Sequence, residues 1–183
     1  SQNVDRTAFH QFTQDFLGAG KSIQALSWIP KVTNKLRAEY EKQAEQELKQ
    51  KFGIKNKSDT GKMVYSEAKN EYFPVYYIEP LVGNSKALGF DLASSNTRLI
   101  TLNQAQKTKK IAITARITLV QEKGKQFGFL AIIPVWEQEN KELLKGYISG
   151  VFRVGDMISS AFEYVKDDRD MLDMWLVDAT NKN

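Results

Sequence analysis

Apolar positions at the start of the chain recur in steps of three and four. Phe9, Phe12, Phe16, Ala19, Ile23 and Leu26 form a two-per-heptad seam, which predicts a long helix from Thr7 to Ile29. Gly18 and Gly20 weaken it, and Pro30 closes it because proline disfavours helix at the residue before it. Leu36, Tyr40, Ala44 and Leu48 then step by four among Lys, Glu and Gln. This predicts a second, one-sided helix over Asn34 to Lys51, with Gly53 just past its end.

From Gly53 the period changes to that of strands. "FGIKNKSD" and "KMVYSEA" are short and separated by turn residues, and "EYFPVYYIEPLVGN" follows as a third. Ser95 or Thr97 can cap a helix that carries Leu99, Leu102 and Ala105 on one face. Three longer strands come next, "KIAITARITLVQE", "QFGFLAIIPVWE" and "LLKGYISGVFRVG", with Gly124 in a hairpin turn between the first two. A helix over Asp156 to Val165, a polar joint "KDDRD" and a last strand "MLDMWLVDAT" finish the chain. "FGFLAIIPV" is apolar on both faces, so both sides of the sheet are covered. The fold class is α+β, with helices segregated around an antiparallel sheet. The organisation expected is an N-terminal helical region over 1–52, a main domain over 53–158, and a linker helix with the start of a further part over 159–183.

Composition narrows the function. The 183 residues contain no cysteine, which excludes thiol catalysis, disulfides and cysteine-ligated metals. The longest apolar run is a strand length, short of the roughly 20 residues of a membrane span. The 26 Lys and Arg are interspersed with 22 Asp and Glu, leaving no basic stripe for nucleic acid. "KTKK" reads as a solvated turn. His10 is the only histidine and has no catalytic motif around it. Nucleotide-binding loops, metalloprotease motifs and nucleophile elbows are missing as well. Neither an enzyme, a metal site nor a cofactor is expected.

Two strands carry the candidate chemistry. Alternation places Phe73, Val75, Tyr77 and Glu79 on one face, a carboxylate among aromatics. It also places Thr114 and Arg116 on one face of a strand whose neighbour, with Phe127, Phe129, Leu130 and Ile132, is apolar on both faces. An arginine buried there needs a partner, either Glu79 or an anionic ligand. A few polar groups among apolar walls describe a small-molecule pocket. Gly150 in mid-strand suggests close approach of a ligand or a neighbouring backbone.

"SIQALSWIP", "EYFPVYYIEPLVGNSKALGFDLAS", "ITARITLVQE", "GFLAIIPV" and "GYISGVFRVGDMI", in this order over residues 22–158, resemble the CHASE family, the extracytoplasmic sensory domains of histidine kinases and nucleotide cyclases. The resemblance implies a long N-terminal helix, a membrane-distal PAS-like domain holding the ligand, and a smaller membrane-proximal PAS-like part that is incomplete here. It also implies a periplasmic or extracellular location, with membrane anchors outside this chain. Plant members bind adenine-type hormones through an acidic residue near the end of the strand matching Phe73 to Leu81, where this chain has Glu79. Thr114 matches a polar pocket position, while Arg116 departs from that branch and favours an anionic ligand. The expected pocket therefore joins Tyr77, Glu79, Phe90, Thr114, Arg116 and Phe129, between the sheet and the helix of Leu99 and Leu102. The helix seam suits a partner helix, so a parallel homodimer is expected in the full receptor. A dimerisation module without ligand is the rival reading.

Overall fold

A computed structural model describes residues 5–18, 23–119 and 127–163. Helix α1 spans Arg6–Gly18, and α2 (Arg37–Leu48) follows a short turn. Strands β1 (Ile23–Pro30) and β2 (Val32–Thr33) lie between them. Then come β3 (Lys55–Lys57), β4 (Met63–Tyr65), β5 (Glu71–Tyr72), β6 (Tyr77–Glu79) and α3 (Asn96–Thr108). The last elements are β7 (Ala112–Ile113), β8 (Gly128–Trp136), β9 (Leu144–Arg153) and α4 (Val154–Glu163). The main sheet is antiparallel in the order β6-β1-β9-β8-β7, and β2-β5 and β3-β4 form two small pairs. Mixed helix and antiparallel sheet is the α+β class that the periodicity predicts. Among the described residues no helix is long and apolar enough to cross a membrane.

The first helix is shorter than the seam predicts. It ends at Gly18, and Ile23–Pro30 is instead an interior strand between β6 and β9. A strand buried on both faces has no polar side to reveal its period of two, so Ile23 and Leu26 fall by coincidence on a helical step. Residues 23–30 consequently share one core with the 53–158 part. Within α1 the buried positions are Phe9 and Thr13, while Phe12 and Phe16 are 51% and 49% exposed and lie 5.0 Å apart, ring centre to ring centre. The helix thus docks along a line i, i+4 and leaves half of the expected seam outside.

Register defines two faces of the sheet. Ala25, Ser27 and Ile29 of β1, Tyr147, Ser149 and Val151 of β9, and Leu130 and Ile132 of β8 share the first. This face meets α3: the Tyr147 hydroxyl donates to Leu102 O at 3.1 Å, and its ring meets Phe73 at 5.5 Å. Leu26, Trp28, Ile148, Gly150, Phe152, Phe129 and Tyr77 share the second, which α1 covers at its β1–β6 side. Gly150 serves packing here, since a Cβ would meet the Phe152 ring at 3.0 Å.

Helix α2 is held by Tyr72, a fully buried ring whose hydroxyl accepts from Lys69 N at 2.9 Å and lies 2.9 Å from Asn34 Oδ1. Arg37 contacts Tyr72 and Glu41, and Glu41 in turn accepts from Ile54 N at 2.8 Å. The expected strand over 71–84 breaks at Pro74, which has no N–H for a ladder. Its two ends pair with different partners, β2 and β1. The predicted turn at Gly124 and the last strand "MLDMWLVDAT" lie outside the described residues.

Candidate functional site

Tyr77 and Glu79 face α1. Tyr77 is buried with its ring 5.8 Å from Phe9 and under the Arg6 guanidinium at 4.6 Å. Burial pushes its hydroxyl well above the usual phenol range. The Glu79 carboxylate lies 3.1 Å from Nδ1 of His10, at the open edge of the helix. This contact accounts for a carboxylate on an aromatic face.

Thr114 and Phe90 lie on the α3 side. Thr114 Oγ1 accepts from Leu130 N at 3.0 Å, and Thr114 N donates to Leu130 O at 2.9 Å. The hydroxyl thereby takes the place of a backbone acceptor where β7 ends. The expected common face of Thr114 and Arg116 is not formed. Ala112 and Thr114 are buried, but so are Ile117 and Leu119, which have the opposite parity. The chain slips phase by one residue at 115–116 before Ile117 bridges to Gly128. Arg116 is turned outward, where its guanidinium lies 4.2 Å over the exposed Phe127 ring. Phe129 stacks on Phe152 at 5.1 Å on the face away from α3. Of the six expected pocket residues, Phe90 and Thr114 meet the α3 side, while Tyr77, Glu79 and Phe129 belong to the opposite face.

The α3 side holds polar groups that sequence reasoning did not select. Ser149 and Ser27 are cross-strand partners, 2% and 3% exposed, in an apolar interior. Ser149 Oγ has no hydrogen-bond partner among the described residues. Arg98 is only 8% exposed, with Nη1 donating to Ser95 Oγ at 3.1 Å, Nη2 to Thr118 O at 3.2 Å, and the guanidinium 5.3 Å from the Phe90 ring. The signal for Arg98 is in the sequence: with Leu102 and Ala105 it makes an i, i+4, i+7 line on the buried face. Nothing in the sequence distinguishes Ser149 from a packed strand serine.

Asp91 is also fully buried, but its needs are met. Oδ1 accepts from Phe73 N at 2.8 Å and Ala93 N at 3.2 Å, and Lys69 forms an ion pair with Oδ2. It fastens the start of α3's lead-in to the strand before β6.

Two concavities open elsewhere. A surface groove of about 340 Å³ lies between the end of α3 and Trp136, where Lys109 pairs with Glu142. A smaller cavity of about 130 Å³ lies between β1 and α2, lined by aromatics including Trp28, Tyr40 and Tyr76. The first is flanked by long charged side chains already paired with each other. The second is the one that Tyr77 borders. Among the described residues no group of His, Asp or Glu is arranged to hold a metal ion.

A family model described as CHASE domain matches residues 2–183. No curated protein matches the chain.

Proposed function

The chain belongs to the CHASE family, the extracytoplasmic sensory domains of membrane receptors, and from that premise we propose that it binds a small molecule between the sheet and α3. The observation that carries this reading is Ser149 Oγ, buried beside Ser27 with no hydrogen-bond partner among the described residues. A hydroxyl taken from water without a partner costs about 1–3 kcal/mol. A ligand with a donor or acceptor at this place recovers that energy.

The location proposed is periplasmic or extracellular, and the domain has no catalytic step of its own. The topology supports a route for the signal. Ile23 pairs with Phe152, so the start of β1 and the end of β9, which leads into α4, lie at the same end of adjacent central strands. A ligand that moves these strands moves both helices, and its effect equals its difference in affinity for the two arrangements. Phe12 and Phe16, in contact with each other on the outside of α1, support a second element of the reading. In the full receptor they form the seam of a parallel homodimer.

The test is a neutral, cationic and anionic small-molecule screen by thermal shift, followed by titration calorimetry on the wild type and Ser149→Ala. A saturable ligand whose affinity falls in Ser149→Ala supports the reading. Ligands that bind equally well to both, or no ligand at all, contradict it.

A further inference from the structure

Helix α2 presents Glu39, Tyr40 and Gln43 to the cavity of about 130 Å³ beside β1, and Trp28, Tyr76 and Tyr77 line it from β1 and the start of β6. Glu39 and Tyr40 stand four and three residues before Gln43, so the three share one face of the helix. An apolar cavity of roughly 150 Å³ takes a molecule the size of benzene, so this one takes about five or six heavy atoms. Its walls are rings. Tyr76 meets Tyr40 edge-on at 5.6 Å and Tyr77 at 4.9 Å, and its hydroxyl donates to Tyr40 O at 3.3 Å. Trp28, Tyr76 and Tyr77 are all buried. The face of an aromatic ring is the negative end of its quadrupole and attracts cations. The Tyr77 ring already holds one, the Arg6 guanidinium at 4.6 Å. Charge also separates this cavity from a plain apolar hole. Burial raises the hydroxyls of Tyr40, Tyr76 and Tyr77 first, and carboxylates raise them next: Glu39 and Glu137 at Tyr40, Glu47 at the other two. Against these three carboxylates stand two cations, Arg6, whose Nε is 3.9 Å from Glu47, and Lys145 in the lining.

We propose that Trp28, Tyr40, Tyr76 and Tyr77 form an aromatic cage for a small methylated ammonium group, with the exposed Glu39 at its mouth. The buried walls offer ring faces, which suits a cation with no N–H to satisfy. Five heavy atoms, the size of tetramethylammonium, match the volume. Trp28 and Tyr77 are cross-strand partners on the sheet face opposite to the pair Ser27 and Ser149. The cage is therefore a second site with its own ligand, and it goes beyond the sensory reading above. Tyr77 is also the ring on which Arg6 and Phe9 of α1 rest, so an occupant lies one side chain away from that helix.

The test is a titration of the nitrogen-labelled chain with tetramethylammonium chloride at constant ionic strength, beside tert-butanol, a neutral molecule of the same shape. The Trp28 indole and the amides of Tyr40 and Tyr76 should shift saturably with tetramethylammonium, and tert-butanol should bind about 3- to 30-fold more weakly. Tyr40→Leu keeps an apolar wall but removes a ring, and should weaken the cation by about 3- to 30-fold as well. Glu39→Gln should weaken it by about 2- to 5-fold, as for an exposed charge pair. Equal affinity for tert-butanol would identify a plain apolar hole and overturn the proposal. So would a wild type that shows no saturable shift, the result expected if Lys145 or the packing closes the cage. Unchanged cation affinity in both variants would place the ion elsewhere and overturn it too. Should Tyr40→Leu fail to fold, the wild-type comparison and Glu39→Gln, whose side chain is exposed, still decide. The Ser149 site is probed with its own ligand, so a cage that stays empty leaves the sensory reading intact, and a cage that fills does not establish it.

Discussion

Thr114 shows how one hydroxyl can end a strand pairing. Its Oγ1 is the acceptor for Leu130 N, so Thr114→Val keeps the shape and strands a buried N–H. The expected loss is about 1–3 kcal/mol in denaturant unfolding, and a neutral result would mean that water reaches Leu130 N. Ser149→Ala has the opposite sign. Its hydroxyl is buried without a partner among the described residues, so the ligand-free variant should be as stable as the wild type or more stable by up to about 1 kcal/mol. A clear loss of stability in that variant would reveal a bond to the hydroxyl and weaken the ligand reading. His10→Gln removes a contact whose histidine is half exposed, and should cost less than about 1 kcal/mol. At this scale the sequence is only partly informative. Burial of Thr114 is legible from alternation, and Arg98 from its place on the Leu102 line. The outward turn of Arg116 is not, because a one-residue phase slip leaves no mark in the composition. The docking of Glu79 against His10 depends on a helix more than 60 positions away in sequence.

The helices α2 and α3 were legible because one face of each is polar. Helix α2, α3 and the β8–β9 pair lie close to the spans that periodicity assigns. Strand β1 is the misread element, because an interior strand of a covered sheet shows no alternation. The glycines at 18 and 20 were the better guide, since helix ends at the first of them. The two exposed phenylalanines of α1 separate packing from association. Phe12→Glu with Phe16→Glu should leave the unfolding free energy of this domain within about 0.5 kcal/mol, as expected for exposed positions. It should abolish self-association of the membrane-anchored receptor, measured by cross-linking or mass photometry. Unchanged association would place the dimer contact elsewhere. Phe9→Ala, by contrast, removes a buried ring from Tyr77 and should cost about 3–5 kcal/mol.

The whole molecule carries a record of its buried tyrosines. Tyr40, Tyr76, Tyr77 and Tyr147 all have hydroxyls pushed up, first of all by burial. Their unfolded values lie near 10, so above that pH the unfolded chain releases protons that the native chain retains. The native state then binds more protons, and stability falls as pH rises from about 10 upward. Arg98 acts in the other direction as a single group, its folded value lowered to about 10 by burial, and does not offset four tyrosines. Ultraviolet titration should show part of the seven tyrosines ionising only together with loss of the far-ultraviolet signal. Ionisation of all of them while the fold persists would contradict their burial. The central claim, a ligand seat between the sheet and α3, has its most direct test in nuclear magnetic resonance of the labelled domain titrated with a ligand found by thermal shift. The account predicts saturable shifts centred on Arg98, Ser27 and Ser149, with smaller ones following into β1 and β9. Shifts confined to the groove at Lys109 and Trp136, or to the cavity at Tyr40 and Tyr76, would contradict it.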